Sequence, residues 1–507
     1  MGIAQTVISE TGFLRLVLVF WTPAFCRLFF AGVIKLPLVL FASEMIVTGL
    51  NGIQTSEQPC RRTFYRGAIC HALSETALSF FPDGLLVVDA TGNIEAIGEA
   101  ATLTQTLPLG PDDKIIHYPA PKVIIPGLID LHVHLPQLSA TGFQAPSLLE
   151  WLETRIFPAE SQFKDSERAR RLANWFFQEL LKNGTTTAAV FLTSHPEATQ
   201  IAFETALDLG NRVVMGQNLM DMDGPAGLVR PTTQILDETQ SLKEKWHQHP
   251  SGRIHYAWMP RFALSCTETL MRELGGFRQA DPSVYCHTHL SEQTGEIEAV
   301  LSRFRWAKDY TQVYEDLGLL GPNTLMAHAI HLSDTECQRL KDSQTSLVHC
   351  PGSNFFLKSG RYPIEQIAQF GLNWGLGSDV GAGPELSLFN AMKEAQFLQW
   401  HWTYPVESLF YRATLGGAEA LNQAERIGNF EVGKAADFIV LDPHAKSGIP
   451  EWRQEMKTLD QVKALISQLI YLGDDRLVTE TVIQGRRCYR RLQPPEAQMI
   501  KMSSVNG

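Results

Sequence analysis

The chain has 507 residues, long enough for a barrel-sized domain and a smaller second unit at about 150 residues per domain. Hydrophobic residues make up 44% and charged residues 19%, which is typical of a globular protein. The net charge of −11 argues against a general nucleic-acid binder, because nucleic-acid surfaces call for clustered basic residues. The eight cysteines include no Cys-x-x-Cys pair, which disfavours a zinc ribbon and predicts reduced thiols in a cytoplasmic protein.

The first 62 residues are predicted to be an apolar extension followed by a polar linker. The apolar part, residues 13–43, is interrupted by three basic residues and two prolines, whereas a membrane helix needs about 20 mostly apolar residues. Three interpretations stay open for residues 1–44. They are an over-extended translation start with Met45 as the true beginning, a membrane-associating leader, or a packed extension of the fold. The first is favoured, so membrane contact through residues 13–43 is not.

Short apolar runs separated by turn signals predict a small β domain built from both chain ends. The first part covers residues 63–124 and the second covers residues 422–490, before a polar tail at 491–507. The predicted turns of the first part are Pro82–Gly84 and Thr91–Asn93. The predicted strands are Ala77–Phe81, Gly84–Asp89 and Ile94–Gly98, with further strands within Ile427–Leu441 and Val478–Tyr489.

Between these parts, residues 125–421 alternate short strand-like runs with longer helical stretches such as Glu167–Asn183, Thr267–Gln279 and Glu292–Arg303. Eight such units predict a (β/α)₈ TIM-like barrel, and with the chain ends an α/β protein carrying a small β-sandwich domain. The predicted barrel strands are Val123–His134, Thr185–Phe191, Arg212–Leu219, Ile254–Phe262, Val284–His289, Thr324–His328, Ser346–His349 and Asn373–Gly377.

A histidine pair at the end of the first barrel strand is the first indication of chemistry. His132 and His134 are two residues apart, so on a strand both side chains point to one face. Alone, this pair is as consistent with a structural role as with a metal site. His289, His328 and Asp379 lie at the ends of the fifth, sixth and eighth predicted strands, where barrel active sites are built. Together the five predict a site for Zn²⁺, with Fe²⁺ and Mn²⁺ as alternatives.

This ordered set resembles the amidohydrolase superfamily, and the longer motifs resemble its guanine deaminase family. The resemblance extends from about Thr63 to Tyr489. One departure from the family is the Gly- and Pro-rich loop Gly224–Pro231, which bears on the shape of substrate that the site accepts more than on the reaction. The motifs are Leu148–Leu152, Phe157–Glu160, Asn183–Thr187, Pro260–Cys266, His289–Glu292, His349–Asn354, Leu376–Asp379, Ala413–Gly417, Ile427–Lys434 and Tyr471–Asp475.

The resemblance implies zinc-dependent hydrolysis of guanine to xanthine and ammonia in purine catabolism, with Glu292 as general acid and base. It implies one Zn²⁺ per chain, bound by His132, His134, His289, His328 and Asp379. It further implies a purine site formed by His134, Leu135, Pro136, Gln137, Arg261 and Phe262, with His289, His328 and Asp379 facing the same substrate.

The residue types agree with these roles. Arg261 is an always-charged donor for the purine carbonyl, Gln137 offers both a donor and an acceptor, and Phe262 offers an aromatic face. Asp379 is placed to accept a proton from the attacking water. Glu292 has an alternative structural role as a carboxylate at a helix N-terminus, and Phe262 as a core residue.

Alternatives to this function are an amidohydrolase acting on another amino-purine or a triazine-like ring, and a non-catalytic scaffold of the same fold. His287, His331 and His349 are predicted not to bind metal. The expected partner is the small-molecule substrate, with no nucleic acid, and a homodimer is expected from the family.

Overall fold

The computed structural model describes residues 61–445 and 456–492. The segment 13–43 and the tail after residue 492 lie outside these ranges, so the three interpretations of the N-terminus stay predictions. Within the described ranges, no helix has both the length and the hydropathy needed to cross a membrane.

Strands β6 to β14 form a parallel sheet in the order β14-β13-β12-β11-β10-β8-β7-β6, with the short β9 beside β10. The two ends of this sheet are joined beyond β14. The Asp379 amide donates to the His132 carbonyl at 2.8 Å, and the His134 amide donates to the Val380 carbonyl at 2.9 Å. The predicted (β/α)₈ barrel is therefore confirmed. Its strands are β6 (Leu128–His134), β7 (Thr185–Phe191), β8 (Arg212–Gly216), β9 (Asn218–Leu219), β10 (Ile254–Pro260), β11 (Tyr285–Leu290), β12 (Thr324–His328), β13 (Ser346–His349) and β14 (Trp374–Leu376).

Both chain ends contribute to the second sheet, whose order is β17-β16-β15-β5-β1-β2-β3 with β4 paired to β1. One apolar cluster contains side chains from both contributions, including Ile69 of the first and Val482 of the second. The small β domain thus has a shared core. Its strands are β1 (Arg62–Ser74), β2 (Ala77–Asp89), β3 (Ile94–Glu99), β4 (Lys114–His117), β5 (Val123–Pro126), β15 (Phe438–Leu441), β16 (Val478–Ile483) and β17 (Arg486–Arg490).

Helices follow most barrel strands, whereas α1 follows β3 and packs against the small β domain. Within the described residues the helices are α1 (Ala100–Thr106), α2 (Leu148–Trp151), α3 (Phe157–Ser161), α4 (Ser166–Lys182), α5 (Pro196–Leu209), α6 (Thr232–Trp246), α7 (Glu268–Ala280), α8 (Thr294–Arg303), α9 (Tyr310–Asp316), α10 (Asp334–Asp342), α11 (Pro351–Phe356), α12 (Ile364–Phe370), α13 (Leu388–Phe397), α14 (Val406–Arg412), α15 (Leu415–Ala420) and α16 (Leu459–Leu472).

The predicted strand Val123–His134 was wrong, because this segment forms two strands in two sheets. The chain divides at Gly127, and β5 pairs with β1 and β15 rather than entering the barrel. A Cβ at Gly127 would lie 2.1 Å from Thr186 Oγ1, so glycine allows the close approach of β7 at this junction. The expected domain boundary at 124/125 consequently falls inside β5.

Two further expectations for the small domain differ from the structure. Residues Pro82–Gly84 do not form a turn, because β2 continues through them and accommodates the extra residue as an irregularity opposite β1. Within Ile427–Leu441 only Phe438–Leu441 is a strand, and the long helix α16 was not predicted.

The barrel interior is apolar at one end and polar at the other. Its inner cluster includes Ile129 and Leu131 of β6, and Ala418 of α15 packs against the same cluster. Towards the carboxyl ends of the strands the inward-facing side chains become histidines and carboxylates. This end of the barrel holds the candidate site.

Candidate metal centre and active-site pocket

Three imidazole rings and one carboxylate meet at the carboxyl end of the barrel. The Nε2 atom of His134 lies 3.1 Å from Nε2 of His132 and 3.3 Å from Nε2 of His289. Asp379 Oδ1 lies 3.4 Å from Nε2 of His132 and 3.3 Å from Nε2 of His134. All four residues are buried or nearly so, and the closeness of these atoms calls for a cation among them.

His328 lies at the edge of this group. Its Nε2 atom is 3.7 Å from Asp379 Oδ2 and 3.5 Å from Glu292 Oε2. It therefore lies against two carboxylates, while its ring stacks on that of His289 at a centroid distance of 5.6 Å. Burial opposes protonation of His328, but the negative charges of Glu292 and Asp379 raise its pKa on balance.

Hydrogen bonds to the opposite ring nitrogens orient these imidazoles. The Nδ1 atom of His289 lies 2.6 Å from the Arg261 carbonyl oxygen, which only accepts, so the proton is on Nδ1 and the Nε2 lone pair is free. His132 Nδ1 lies 2.8 Å from Nε2 of His287, and His328 Nδ1 lies 3.0 Å from Oδ1 of the Asn354 amide.

The distances fit a zinc site. With metal–ligand bonds of about 2.0–2.1 Å, two ligand atoms of a tetrahedral zinc lie about 3.4 Å apart. Burial lowers the pKa of His132 to about 4 and also lowers that of His134, which favours the neutral imidazoles that metals require. Cys350 lies within reach of the same group, but burial raises the pKa of its thiol well above the ordinary range and so disfavours the thiolate ligand.

Glu292 follows β11 and points its carboxylate towards the cluster. Oε1 accepts a hydrogen bond from the Ser359 hydroxyl at 3.1 Å. The carboxylate of Glu296 accepts from the backbone amides of Glu292 and Gln293, at 2.9 and 3.2 Å, and so fixes the turn that carries Glu292. Burial raises the pKa of Glu292 to about 7, a value suited to giving and taking a proton near neutral pH.

A pocket opens on these groups. Gln137, Arg261 and Phe262 line it together with Glu292 and Asp379. Leu135 and Pro136 are buried in the turn that carries Gln137, but their side chains are not among those lining the pocket in the described part of the chain. Donors, acceptors and an aromatic ring thus converge on one pocket, as in small-molecule sites.

Comparison with known proteins identifies the family of this chain. A family model described as the amidohydrolase family matches residues 123–488. The chain belongs to the amidohydrolase family. This amidohydrolase is 35% identical to the guanine deaminase of Escherichia coli (strain K12), over 82% of this chain and 93% of the relative.

Solved structures of guanine deaminases share the fold of this amidohydrolase. That of Bradyrhizobium japonicum matches with a TM-score of 0.80 and 30% identity, over 85% of this chain and 100% of the other. That of C. acetobutylicum, with bound guanine in the active site, matches with a TM-score of 0.77 and 29% identity, over 84% and 100%.

Sequence reasoning gave no role to several residues of the amidohydrolase site. Phe191, at the end of β7, packs against the rings of His132, His134, His287 and His289 at centroid distances of 4.8–5.4 Å. Asp130 accepts hydrogen bonds from the amides of His132 and Ser378 and from the Ser378 hydroxyl, which ties β6 to the segment carrying Asp379. Phe191 stands at a strand end, a pattern that could have indicated it, whereas Asp130 lies inside β6. Glu160 lies within a quoted motif, but its partners are distant in sequence.

Proposed function

We propose that this amidohydrolase deaminates guanine by hydrolysis, giving xanthine and ammonia in purine catabolism, with one zinc ion per chain. The observation that carries the proposal is the buried imidazole and carboxylate cluster facing a pocket lined by Arg261 and Gln137. The similarity to guanine deaminases over most of the chain, one of them with bound guanine, supports the choice of substrate.

In this proposal His132, His134, His289, His328 and Asp379 bind the metal. The first three and Asp379 form the tight set, and His328 completes it from the side of Glu292. When bound, zinc supplies an activated water at neutral pH. The nitrogen-rich set with no thiolate suits zinc better than magnesium or calcium.

The side chains of this chain then divide the proton transfers. Asp379 accepts the proton of the attacking water and the protonated Glu292 gives its proton to N3 as oxygen adds to C2 of guanine. Glu292 then takes the proton of the new C2 hydroxyl and passes it to the exocyclic amine, so that the C2 carbonyl forms, the C2–N bond breaks and ammonia leaves. The proton held by Asp379 returns to Glu292 for the next turnover. Arg261 donates to the purine carbonyl and Gln137 contacts the ring edge, which holds C2 facing the cluster.

An assay of ammonia release from a substrate panel tests the proposal. Guanine is expected to be turned over with the highest kcat/KM, ahead of 8-oxoguanine, 2,6-diaminopurine and amino-triazines. Metal analysis of the same preparation is expected to find one zinc per chain. If guanine releases no ammonia from zinc-loaded protein, the proposed function is wrong, and turnover of another ring would identify a sibling activity instead.

Replacing Ser359 with alanine is expected to lower kcat for guanine about 3- to 10-fold, the usual worth of one hydrogen bond to a side chain. Without the hydroxyl, Glu292 Oε1 loses the donor that holds the carboxylate in place. Steady-state kinetics measure the change, and Ser302→Ala, at an exposed position on α8, is the matched control. Equal kcat values for Ser359→Ala and wild type would show that this contact does not orient Glu292.

A homodimer and a cytoplasmic location remain predictions from the sequence. Sedimentation of the purified protein tests the first, and fractionation of cells tests the second.

A further inference from the structure

A carboxylate lies completely buried behind the recognition wall of the pocket. Glu160, on α3, is 0% exposed and accepts from Arg261 Nη1 with both oxygens, at 2.8 and 2.7 Å. The Gln137 Nε2 donates to Oε1 of the same carboxylate at 3.1 Å. Asn218, the first residue of β9, approaches Oε2 with its amide nitrogen at 3.5 Å. Glu160 thus contacts both side chains proposed to bind the purine.

Stability alone is a weak reason for this arrangement. Burying an ion pair costs a large desolvation free energy, and apolar replacements of similar volume are often as stable. The guanidinium of Arg261 also lies 5.3 Å above the Phe157 ring, so an apolar side chain would find contacts here. Because this buried ion pair lies beside a ligand pocket and adds little stability, its place in the fold points to a role in positioning the side chain of Arg261.

The contacts decide which atoms face the ligand. Because the carboxylate takes the Nε2 donor of Gln137, the amide is fixed with its carbonyl oxygen available as an acceptor. Within the described residues, Nη1 is the one guanidinium nitrogen of Arg261 with a protein acceptor, so Nε and Nη2 are left as donors. The wall therefore presents donors from Arg261 beside an acceptor from Gln137.

We propose that Glu160 is a positioning residue that makes the pocket select 6-oxo over 6-amino purines, by fixing Arg261 as donor and Gln137 as acceptor. This inference rests on the proposed function. A 6-oxopurine offers the O6 and N7 acceptors that an arginine reads with two donors, whereas adenine offers an N6 donor in place of O6. A donor facing a donor leaves both unpaired in a buried site, which is the strongest basis for rejecting an analogue.

The backbone and the side chain of Arg261 contact different groups, so the role of Glu160 can be tested apart from the metal centre. Its carbonyl orients His289, whereas its guanidinium contacts Glu160. Loss of the Glu160 charge is therefore expected to free the guanidinium and let the Gln137 amide rotate, while the imidazole cluster and its metal stay in place.

The experiment compares wild type with Glu160→Gln, Glu160→Asp and Glu150→Gln. Glu150, on α2, is exposed, so its variant controls for the same change of charge. The measurements are KM and kcat for guanine, zinc content, and the inhibition constants of hypoxanthine and adenine as 6-oxo and 6-amino probes. In Glu160→Gln we expect KM to rise about 10- to 100-fold and the adenine-to-hypoxanthine ratio of inhibition constants to fall at least about 10-fold. Zinc content and kcat stay near wild type.

A structural role predicts a different pattern. Glu160→Gln would then have a lower unfolding temperature and a smaller active fraction, which reduces kcat but leaves KM and the ratio of inhibition constants unchanged. That result overturns the proposal. So does a folded Glu160→Gln whose ratio of inhibition constants equals that of wild type. Should Glu160→Gln not fold, Glu160→Asp decides, since it keeps the charge but withdraws it by one methylene and is expected to change the ratio in the same direction. Wild-type protein inactive on guanine would instead refute the proposed function.

Discussion

Glu292→Gln is expected to lower kcat for guanine at least about 100-fold, the lower end of what a positioned acid–base group contributes. The amide keeps the size of the side chain and accepts a hydrogen bond from Ser359, but it cannot give a proton to N3 or carry one to the amine. The buried carboxylate, with its pKa raised to about 7 by desolvation, is suited to both transfers. The variant should still bind metal, because the tight set of imidazoles and Asp379 is untouched.

Steady-state kinetics and metal analysis of the same preparation check this result. Glu298→Gln is the matched control, since Glu298 is exposed on α8, and it should behave as wild type. A Glu292→Gln variant that holds zinc and turns guanine over at a near-normal rate would refute the assigned role. A variant without zinc would instead place Glu292 among the residues that keep the metal.

The site could be anticipated from sequence wherever its residues stand at strand ends. His132 and His134, His289, His328 and Asp379 each follow an apolar run, and in a parallel barrel all such positions meet at one rim. The structure brings them together as expected. It also shows what a one-dimensional pattern does not carry, namely that His328 lies against the carboxylates of Glu292 and Asp379 at the edge of the group. The Nε2 atom of His134, by contrast, lies 3.1 and 3.3 Å from those of His132 and His289.

Residues that act through another side chain were harder to recognise. Glu160 is 101 positions from Arg261 in sequence, and only the fold shows that their side chains touch. Asn354 and His287 orient the rings of His328 and His132 in the same indirect way, and nothing local in the sequence distinguishes them from core polar residues. Partners of this kind are set by tertiary packing, which spacing along the chain does not encode.

The fold errors have two different origins. The run from Val123 to His134 is mostly apolar, so periodicity does not separate its two strands, and the break at Gly127, where the chain passes from one sheet to the other, is marked only by the turn signal Pro126-Gly127. Pro82 and Gly84 carry an ordinary turn signal, but pairing with β1 keeps them in a strand, since a bulge absorbs the extra residue. At Pro82–Gly84 long-range pairing therefore overrides a local preference, whereas at Gly127 the chain follows one.

Removing the metal is expected to lower the rate of guanine deamination at least about 1,000-fold, since a bound metal ion lowers the activation barrier by several kcal/mol. After chelator treatment, addition of Zn²⁺ should restore activity, whereas addition of Mg²⁺ should not, because the imidazole-rich set suits zinc.

Asp379→Asn should lower zinc content and activity together, since it removes the negative charge shared by His132 and His134.

A thermal unfolding curve gives a readout that does not depend on activity. The bare Nε2 atom of His289 lies 3.3 Å from that of His134, so a cation between them removes the repulsion of their lone pairs. Zinc should therefore raise the unfolding temperature, by an amount corresponding to about 2.7 kcal/mol when free zinc is 100 times the dissociation constant. Full activity after complete zinc removal would exclude the metal from the reaction. A wild-type response to zinc in Asp379→Asn would remove Asp379 from the ligand set and leave the imidazoles to hold the ion alone.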